Sequence, residues 1–231
     1  MKNKLWLFPL SGLMLLMTGC GGINFYKSGA ETVKNIVLKD KINSINNEGS
    51  TDIEFSQGEP SFKLYAPKEM INYIHLNIEN GQLTINSSYP SNMMGSVKSK
   101  LVVTYPDISS FQTGGTGDIY IRGIKTENLT IKSSGTGDIE CKDIDCQKLT
   151  AVTLGTGDIE IKNANCKEAE LMTQGTGDIE CERINAGSIF ASTNGTGDIE
   201  LSGRCEIFNS EKTGTGDIIS KNLIKTTFNK K

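Results

Sequence analysis

The sequence predicts an all-β protein: a single-stranded parallel β-solenoid with about 20 residues per coil and an irregular β cap at the N-terminal end. The pentapeptide Gly-Thr-Gly-Asp-Ile occurs six times and begins at residues 115, 135, 155, 175, 195 and 214, at intervals of 20, 20, 20, 20 and 19 residues. Between the repeats, apolar residues alternate with polar ones, which is a strand pattern. Each period is too short for a helix plus a strand, so we expect one coil per period.

The predicted core consists of three sets of inward-facing residues in each period. The last residue of the pentapeptide and the residue two positions later lie on one strand face. A second apolar pair follows near the end of the period, and a single corner residue lies between the pairs. The first pairs are Ile119 and Ile121, Ile139 and Cys141, Ile159 and Ile161, Ile179 and Cys181, and Ile199 and Leu201; the second pairs are Leu129 and Ile131, Leu149 and Ala151, Ala169 and Leu171, and Ile189 and Ala191; the corner residues are Ile124, Ile144, Ala164 and Ile184. Stacking in register places equivalent residues about 4.8 Å apart, and the shortened fifth interval fits one deletion before Phe208.

Residues 1–19 have the pattern of a secretory signal peptide. Lys2 and Lys4 precede an apolar run from Leu5 through Met17, which is too short to remain as a membrane span. The following Thr-Gly-Cys sequence, which ends at Cys20, resembles the bacterial lipobox, in which cleavage precedes the cysteine and lipid is attached to it. We therefore expect Cys20 to hold the protein on a membrane, and the absence of Asp after Cys20 favours the outer membrane. An ordinary signal peptide with an incidental Cys20 is the alternative.

The remaining chain divides into three parts. Residues 20–31 are predicted to be a lipidated tether, residues 32–110 an irregular β region continuous with the solenoid, and residues 111–231 the repeat solenoid. Asn80-Gly81 between two apolar runs predicts a hairpin. The full chain has a net charge of −3; removal of residues 1–19 leaves 22 basic and 27 acidic residues, a net charge of −5, which argues against nucleic-acid binding.

Five cysteines follow Cys20. Cys141 and Cys181 fall in one inward column two coils apart, about 9.6 Å, which is too far for a disulfide, and we interpret them as small core residues. Cys146, Cys166 and Cys205 share another column near a corner. Cys146 and Cys166 are on adjacent coils, so a disulfide between them is possible by spacing but disfavoured by parallel β-carbons. The coil of Ala186 separates Cys205 from them and argues against a three-thiol metal site.

The repeated aspartates are the most conspicuous candidate site. They are Asp118, Asp138, Asp158, Asp178, Asp198 and Asp217. We predict a structural role, in which each carboxylate accepts a hydrogen bond from a backbone amide at the turn, the adjacent glycines allow positive φ, and the repeated threonines form a hydroxyl ladder. Calcium binding is the alternative, but the calcium-binding nonapeptide repeat has a shorter period and places its aspartate differently. We expect no bound metal or cofactor and no effect of EDTA on the melting temperature.

Catalytic motifs are absent from the sequence. The single histidine, His75, lies between Ile74 and Leu76 and is expected to face outward from a strand. No Ser-His-Asp set, histidine metal site or phosphate loop can be assembled. We therefore predict no catalytic residue. A carbohydrate-active β-helix enzyme remains the alternative, and a single cleft with two close carboxylates and a basic residue would favour it.

The repeat, together with Leu101-Val-Val-Thr-Tyr-Pro106 before Phe111 and with Gly81-Gln-Leu-Thr-Ile85, resembles the bacterial family called putative auto-transporter adhesin, head GIN domain. The resemblance covers residues 40–231. It implies a right-handed β-helix in cell-envelope proteins that are often lipoproteins, and it brings no catalytic residues. We therefore expect a non-catalytic envelope module that contacts the membrane through lipid and binds an envelope glycan or protein. A structural or envelope-stress partner protein is the other alternative.

Overall fold

The computed structural model describes residues 31–38, 40–90 and 98–225. The predicted signal peptide and the predicted lipid site at Cys20 lie outside these residues, as does the C-terminal segment 226–231. The described part contains fourteen strands: β1 Glu31–Ile36, β2 Ser44–Asn47, β3 Asp52–Gln57, β4 Ser61–Pro67, β5 Ile74–Glu79, β6 Gln82–Ser87, β7 Lys100–Tyr105, β8 Ser110–Thr113, β9 Ile119–Ser133, β10 Ile139–Thr153, β11 Ile159–Thr173, β12 Ile179–Thr193, β13 Ile199–Lys212 and β14 Ile218–Lys225. One 3-10 turn, Ile71–Tyr73, lies between β4 and β5. In these residues we find no helix with the length and hydropathy to cross a membrane.

The repeat region is a parallel β-solenoid, which confirms the predicted fold. Strands β9 to β14 pair in sequence order, and every pairing is parallel. The register is the 20-residue period itself, because Ile139 lies beside Ile119 on one side and beside Ile159 on the other. Residues that recur in sequence are therefore vertical neighbours in the structure.

Each full coil contains one continuous strand of 14 or 15 residues rather than two separate strands. The strand bends without a break where one residue adopts a left-handed conformation: Gly123, Asp143, Asn163 and Arg183 have φ between 56° and 65°. Glycine, asparagine and aspartate enter this region at low cost. This bend lets the corner residue that follows, such as Ile144, turn into the core.

The predicted core columns are confirmed. All residues of the three inward sets are buried, and none is more than 4% exposed. The deletion in the fifth interval is also confirmed, because Phe208 pairs with Ile189 after a register shift at the corner of β12 and β13. Thus one missing residue is absorbed at the corner while the columns on both sides keep their alignment.

The N-terminal region extends the solenoid, but its coils do not stack in chain order. Strand β2 pairs with β8, and β3 pairs with β9, so residues 44–57 form the coil directly below the first repeat. Strands β6 and β7, which come later in the chain, pair with the other edges of β2 and β3. Antiparallel strands β5, β4 and β1 then continue the sheet outward. The predicted hairpin at Asn80-Gly81 joins β5 to β6, and both residues have positive φ.

Candidate functional site: the ladders of the repeat turn

The two glycines of each repeat are required by close contact between stacked turns. A β-carbon on Gly155 would lie 2.1 Å from the carbonyl oxygen of Gly135, and one on Gly157 would lie 2.1 Å from that of Gly137. Both distances are far below any tolerable contact. Among the described glycines, only Gly81, Gly123 and Gly203 have positive φ. The expectation that the repeat glycines permit positive φ is therefore wrong, and the lack of a side chain is the physical reason for their recurrence.

Inside the turn lies a buried column of hydroxyl side chains. Its members are Thr113, Ser133, Thr153, Thr173 and Thr193, each 0% exposed. Their hydroxyls donate to the carbonyl oxygens of Gly117, Gly137, Gly177 and Gly197 at 2.9–3.1 Å, and Oγ1 of Thr173 lies 2.8 Å from Oγ1 of Thr193. Because a buried carbonyl without a partner is costly, this column satisfies the interior of the turn.

The predicted hydroxyl ladder does not run through the threonines of the pentapeptide. Those of the pentapeptide, Thr116, Thr136, Thr156, Thr176, Thr196 and Thr215, are exposed. The signal that identifies the buried column is a Ser or Thr two residues before the first glycine of five of the six repeats. It was missed because those positions lie just upstream of the repeated pentapeptide.

The repeated aspartates form a hydrogen-bonded ladder on the outer side of the turn. Oδ1 of each aspartate accepts the backbone N–H of the aspartate one coil later, at N···O distances from 2.6 to 2.9 Å. Five steps connect Asp118 to Asp217 in this way. At the far end the Lys212 ammonium pairs with Asp217 and lowers the pKa of that carboxyl. One oxygen of every repeat aspartate up to Asp198 is therefore committed to the backbone, and the other takes no part in the ladder.

The ladder has a seventh member, Asp52, outside the six repeats. Oδ1 of Asp52 accepts the backbone N–H of Asp118 at 3.1 Å. Residues 49–53, Gly-Ser-Thr-Asp-Ile, are thus a divergent copy of the pentapeptide, and a β-carbon on Gly115 would lie 2.1 Å from the Gly49 carbonyl oxygen. Burial raises the pKa of Asp52. The two substitutions, Ser50 for threonine and Thr51 for glycine, hid this copy.

A column of glutamates, Glu140, Glu160, Glu180 and Glu200, runs beside the aspartate ladder, and the charge of the neighbouring residue changes from one coil to the next. Glu140 pairs with Lys142 at 2.6 Å, and Glu160 pairs with Lys162. In the next coil Glu182 replaces the lysine, so that Glu180 lies among acidic neighbours. The Lys142 ammonium lowers the pKa of Glu140, whereas burial, followed by the charges of Glu160, Glu182 and Glu200, raises the pKa of Glu180.

Between the two columns lies a groove of about 460 Å³. It spans four coils and is lined by Asp118, Tyr120, Asp138, Ile139, Glu140, Asp158, Ile159, Glu160, Asp178 and Glu180. At one end the Tyr120 hydroxyl donates to Oδ2 of Asp118 at 3.2 Å; burial and the negative charge of Asp118 raise the pKa of Tyr120 to about 12. An open groove of one charge sign attracts cationic groups and hydrogen-bond donors.

The other candidate residues are not brought together with this groove. His75 is exposed on β5, and its Nε2 lies 3.3 Å from Oγ of Ser88. Within the part of the chain that the structure describes, no three His, Cys, Asp or Glu side chains converge as a metal site. Cys141 and Cys181 are buried in the core column on either side of Ile161, and burial raises the pKa of both thiols.

These observations define a class of protein: a repeat β-solenoid with columns of aspartate and glutamate along one surface. Residues 41–222 match the family described as putative auto-transporter adhesin, head GIN domain, and the chain belongs to this family. No protein with curated annotation is detectably similar in sequence.

Several solved structures share the fold. A putative adhesin from Bacteroides fragilis NCTC 9343 has a TM-score of 0.74 at 24% identity, over 83% of this chain and 97% of that one. A putative lipid binding protein from Parabacteroides distasonis ATCC 8503 has a TM-score of 0.59 at 19% identity, over 85% and 98%. A putative adhesin from the same organism has a TM-score of 0.53 at 16% identity, over 86% and 98%. At these identities the similarity extends to the fold alone.

Proposed function

We propose that this protein is a non-catalytic binding module of the cell envelope, held on the outer membrane by lipid at Cys20, and that it binds an extended envelope glycan or protein along the acidic groove. The observation that carries this proposal is the groove itself, which continues over four coils with an aspartate in each coil and a glutamate in three of them. The membership of the chain in a family named for adhesins supports it. The function is one of attachment rather than chemical conversion.

The shape of the groove favours a linear partner. Its carboxylates recur with the spacing of stacked strands, about 4.8 Å, so an extended polymer presents its own repeating groups to equivalent acceptors in successive coils. The aspartate oxygens are fixed by the backbone ladder, and rigid acceptors lose little entropy on binding. A partner with amino groups or many hydroxyl donors would match this surface, because the carboxylates accept hydrogen bonds but donate none.

Binding along the groove is tested with a matched pair of double variants. Glu160→Gln with Glu180→Gln removes two charges from the groove. Glu168→Gln with Glu170→Gln removes the same charge from β11 at positions outside the groove-lining set. We expect the first variant to lose binding on arrays of envelope glycans and proteins at least tenfold, and the second to bind as the wild type does.

Equal binding by both variants would place recognition elsewhere on the solenoid. Arrays on which the wild type binds no glycan and no protein, together with normal adhesion of a strain that lacks the gene, would contradict the binding function itself. The salt dependence of binding is an independent readout, because contacts between exposed charges weaken as ionic strength rises.

The lipid anchor is tested by Cys20→Ala. We expect the wild type to incorporate labelled fatty acid and to sediment with outer-membrane fractions, because several acyl chains on one residue give firm anchoring. The variant should lose the label and leave the membrane fraction. A variant that is still labelled and still sediments with the membrane would show that the anchor is elsewhere.

A further inference from the structure

Two buried thiols occupy equivalent positions on neighbouring strands. Cys146 on β10 and Cys166 on β11 are flanked by the register pairs Asp145 with Asn165 and Lys148 with Glu168. Their side chains are buried, with 3% and 7% exposed. In-register neighbours in a sheet are about 4.8 Å apart, which lies within the range of Cα separations that a disulfide spans.

Within the described residues, no other pair of cysteines shares this arrangement. Ile161 stands between Cys141 and Cys181 in their column. Ala186 likewise stands between Cys166 and Cys205. Both of these pairs are two strands apart, about 9.6 Å, and are out of range of a disulfide.

The two thiols also interact directly, and unequally. A hydrogen bond between them lowers the pKa of Cys146 and raises the pKa of Cys166. Since the thiolate is the reactive form of cysteine, Cys146 is the first nucleophile of the pair and Cys166 is the resolving thiol.

We propose that Cys146 and Cys166 are a modification site, at which a disulfide oxidant joins β10 to β11. The Cys146 thiolate attacks one sulfur of the oxidant, forms a mixed disulfide and releases the first thiolate. The Cys166 thiol loses its proton and attacks Sγ of Cys146, which releases the second thiolate. The two cysteines together lose two electrons and two protons, and one disulfide molecule becomes two thiols.

The bond closes a single coil on itself. The loop between the two cysteines contains the turn at Gly155 and Gly157, whose stacking depends on close backbone contact. A cross-link around such a loop stabilises the folded state, chiefly by restricting the unfolded chain. The oxidised solenoid therefore resists the separation of β10 from β11, the step by which the array would open in its middle.

The test uses the full-length chain with Cys20→Ala in mild detergent, so that all five remaining cysteines lie in the solenoid. The protein is incubated with oxidised glutathione, remaining thiols are blocked under denaturing conditions, and tryptic peptides are analysed by mass spectrometry without reduction. Cleavage after Lys142, Lys148, Lys162 and Lys167 places Cys146 in residues 143–148 and Cys166 in residues 163–167, and the other three cysteines fall in separate peptides.

We expect the cross-linked pair of peptides 143–148 and 163–167 to be the main oxidised product, with a melting temperature several degrees above that of the reduced protein. Cys166→Ala should stop at a glutathione adduct on Cys146 and lose the shift, whereas Cys141→Ala should retain both. A wild-type protein that keeps Cys146 as a free thiol, or whose glutathione adduct is never resolved, would overturn the proposal. A cross-link that involves Cys205 would overturn it equally.

Discussion

The repeat coils and the N-terminal coils reach the same cross-section by different means. In the repeats, each turn lies on an identical turn. The glycines lie so close to the carbonyl oxygens of the turn below that an added β-carbon would collide with them. In the coil of β2 and β3, Thr51 occupies the position of the second glycine, and its hydroxyl lies 2.9 Å from that of Ser99 in the strand connection beneath. Stacking in the repeat region therefore depends on positions that have no side chain, whereas stacking in the N-terminal coil uses specific contacts between polar side chains.

This difference bears on tolerance to mutation. A repeat turn is confined by backbone on the turn below, and backbone cannot change its rotamer to make space. In the N-terminal turn the position of the second glycine is filled by Thr51, which meets the side chain of Ser99, and a side chain can move. We infer that substitution of a repeat glycine destabilises the protein more than substitution at the equivalent position of the N-terminal cap.

The largest effect is expected for Gly157→Ala. The added β-carbon would lie 2.1 Å from the Gly137 carbonyl oxygen, so stacked turns must separate. We expect a loss of about 4 kcal/mol or more in the free energy of unfolding, measured by urea titration. In the cap, Thr51→Gly should cost only about 1 kcal/mol, the value of its hydrogen bond.

Gly123→Asn serves as the control for Gly157→Ala. A β-carbon on Gly123 meets no atom within 4 Å, and its φ of 65° is close to that of Asn163 in the same column. We therefore expect a change within about 0.5 kcal/mol. A Gly157→Ala protein as stable as Gly123→Asn would contradict the distinction between steric and conformational glycines.

The second effect concerns the buried hydroxyl column. Thr153→Val removes a hydroxyl that donates to the Gly177 carbonyl at 2.9 Å and leaves that oxygen without its hydroxyl donor inside the buried turn. We expect a loss of about 2 kcal/mol, whereas Thr153→Ser should keep most of the stability because Ser133 fills the same column. The valine variant unfolding at the same urea concentration as the wild type would show that the column only fills space.

These two effects show what the sequence could and could not predict. The period of 20 residues fixed the columns of Ile139 and its equivalents, because the strand register simply repeats the sequence period. It could not reveal Thr153 as a hydrogen-bond donor to Gly177, since that contact depends on how one turn lies on the next. Nor could it place β6 and β7 below β2 and β3, because no repeat marks those strands and their stacking order differs from chain order.

A third and smaller effect is expected in the aspartate ladder. Asp158→Ala removes the acceptor of the Asp178 backbone N–H at a solvent-exposed position, and we expect a loss of about 1 kcal/mol. Asp158→Asn keeps an acceptor oxygen and should lose less. In the cap the outcome should differ: because burial raises the pKa of Asp52, Asp52→Asn should leave stability at neutral pH unchanged or slightly increased. If Asp158→Asn and Asp52→Asn lowered the free energy of unfolding equally, this predicted difference between the cap and the repeats would be wrong.

The smallest effect compares two members of one column, Glu140 and Glu180, whose pKa values move in opposite directions from 4.5. A lowered pKa means that Glu140 adds stability above its unfolded pKa, which is lost as the pH falls through the folded value. A raised pKa means that the stability associated with Glu180 is complete below pH 4.5 and is lost as the pH rises through its folded value.

At pH 7 we therefore expect Glu140→Gln to lower the free energy of unfolding and Glu180→Gln to raise it, each by a few tenths of a kcal/mol, as is usual for partly exposed charges. The Glu180 difference should vanish first, as the pH falls through the raised folded pKa to 4.5, whereas the Glu140 difference should persist to pH 4.5 and be lost only as the pH falls further through the lowered folded pKa. Scanning calorimetry across this pH range measures both. Shifts of the same sign at pH 7 would contradict this electrostatic explanation, since Glu140 lies beside Lys142 and Glu180 lies beside Glu182 at the same position of their coils.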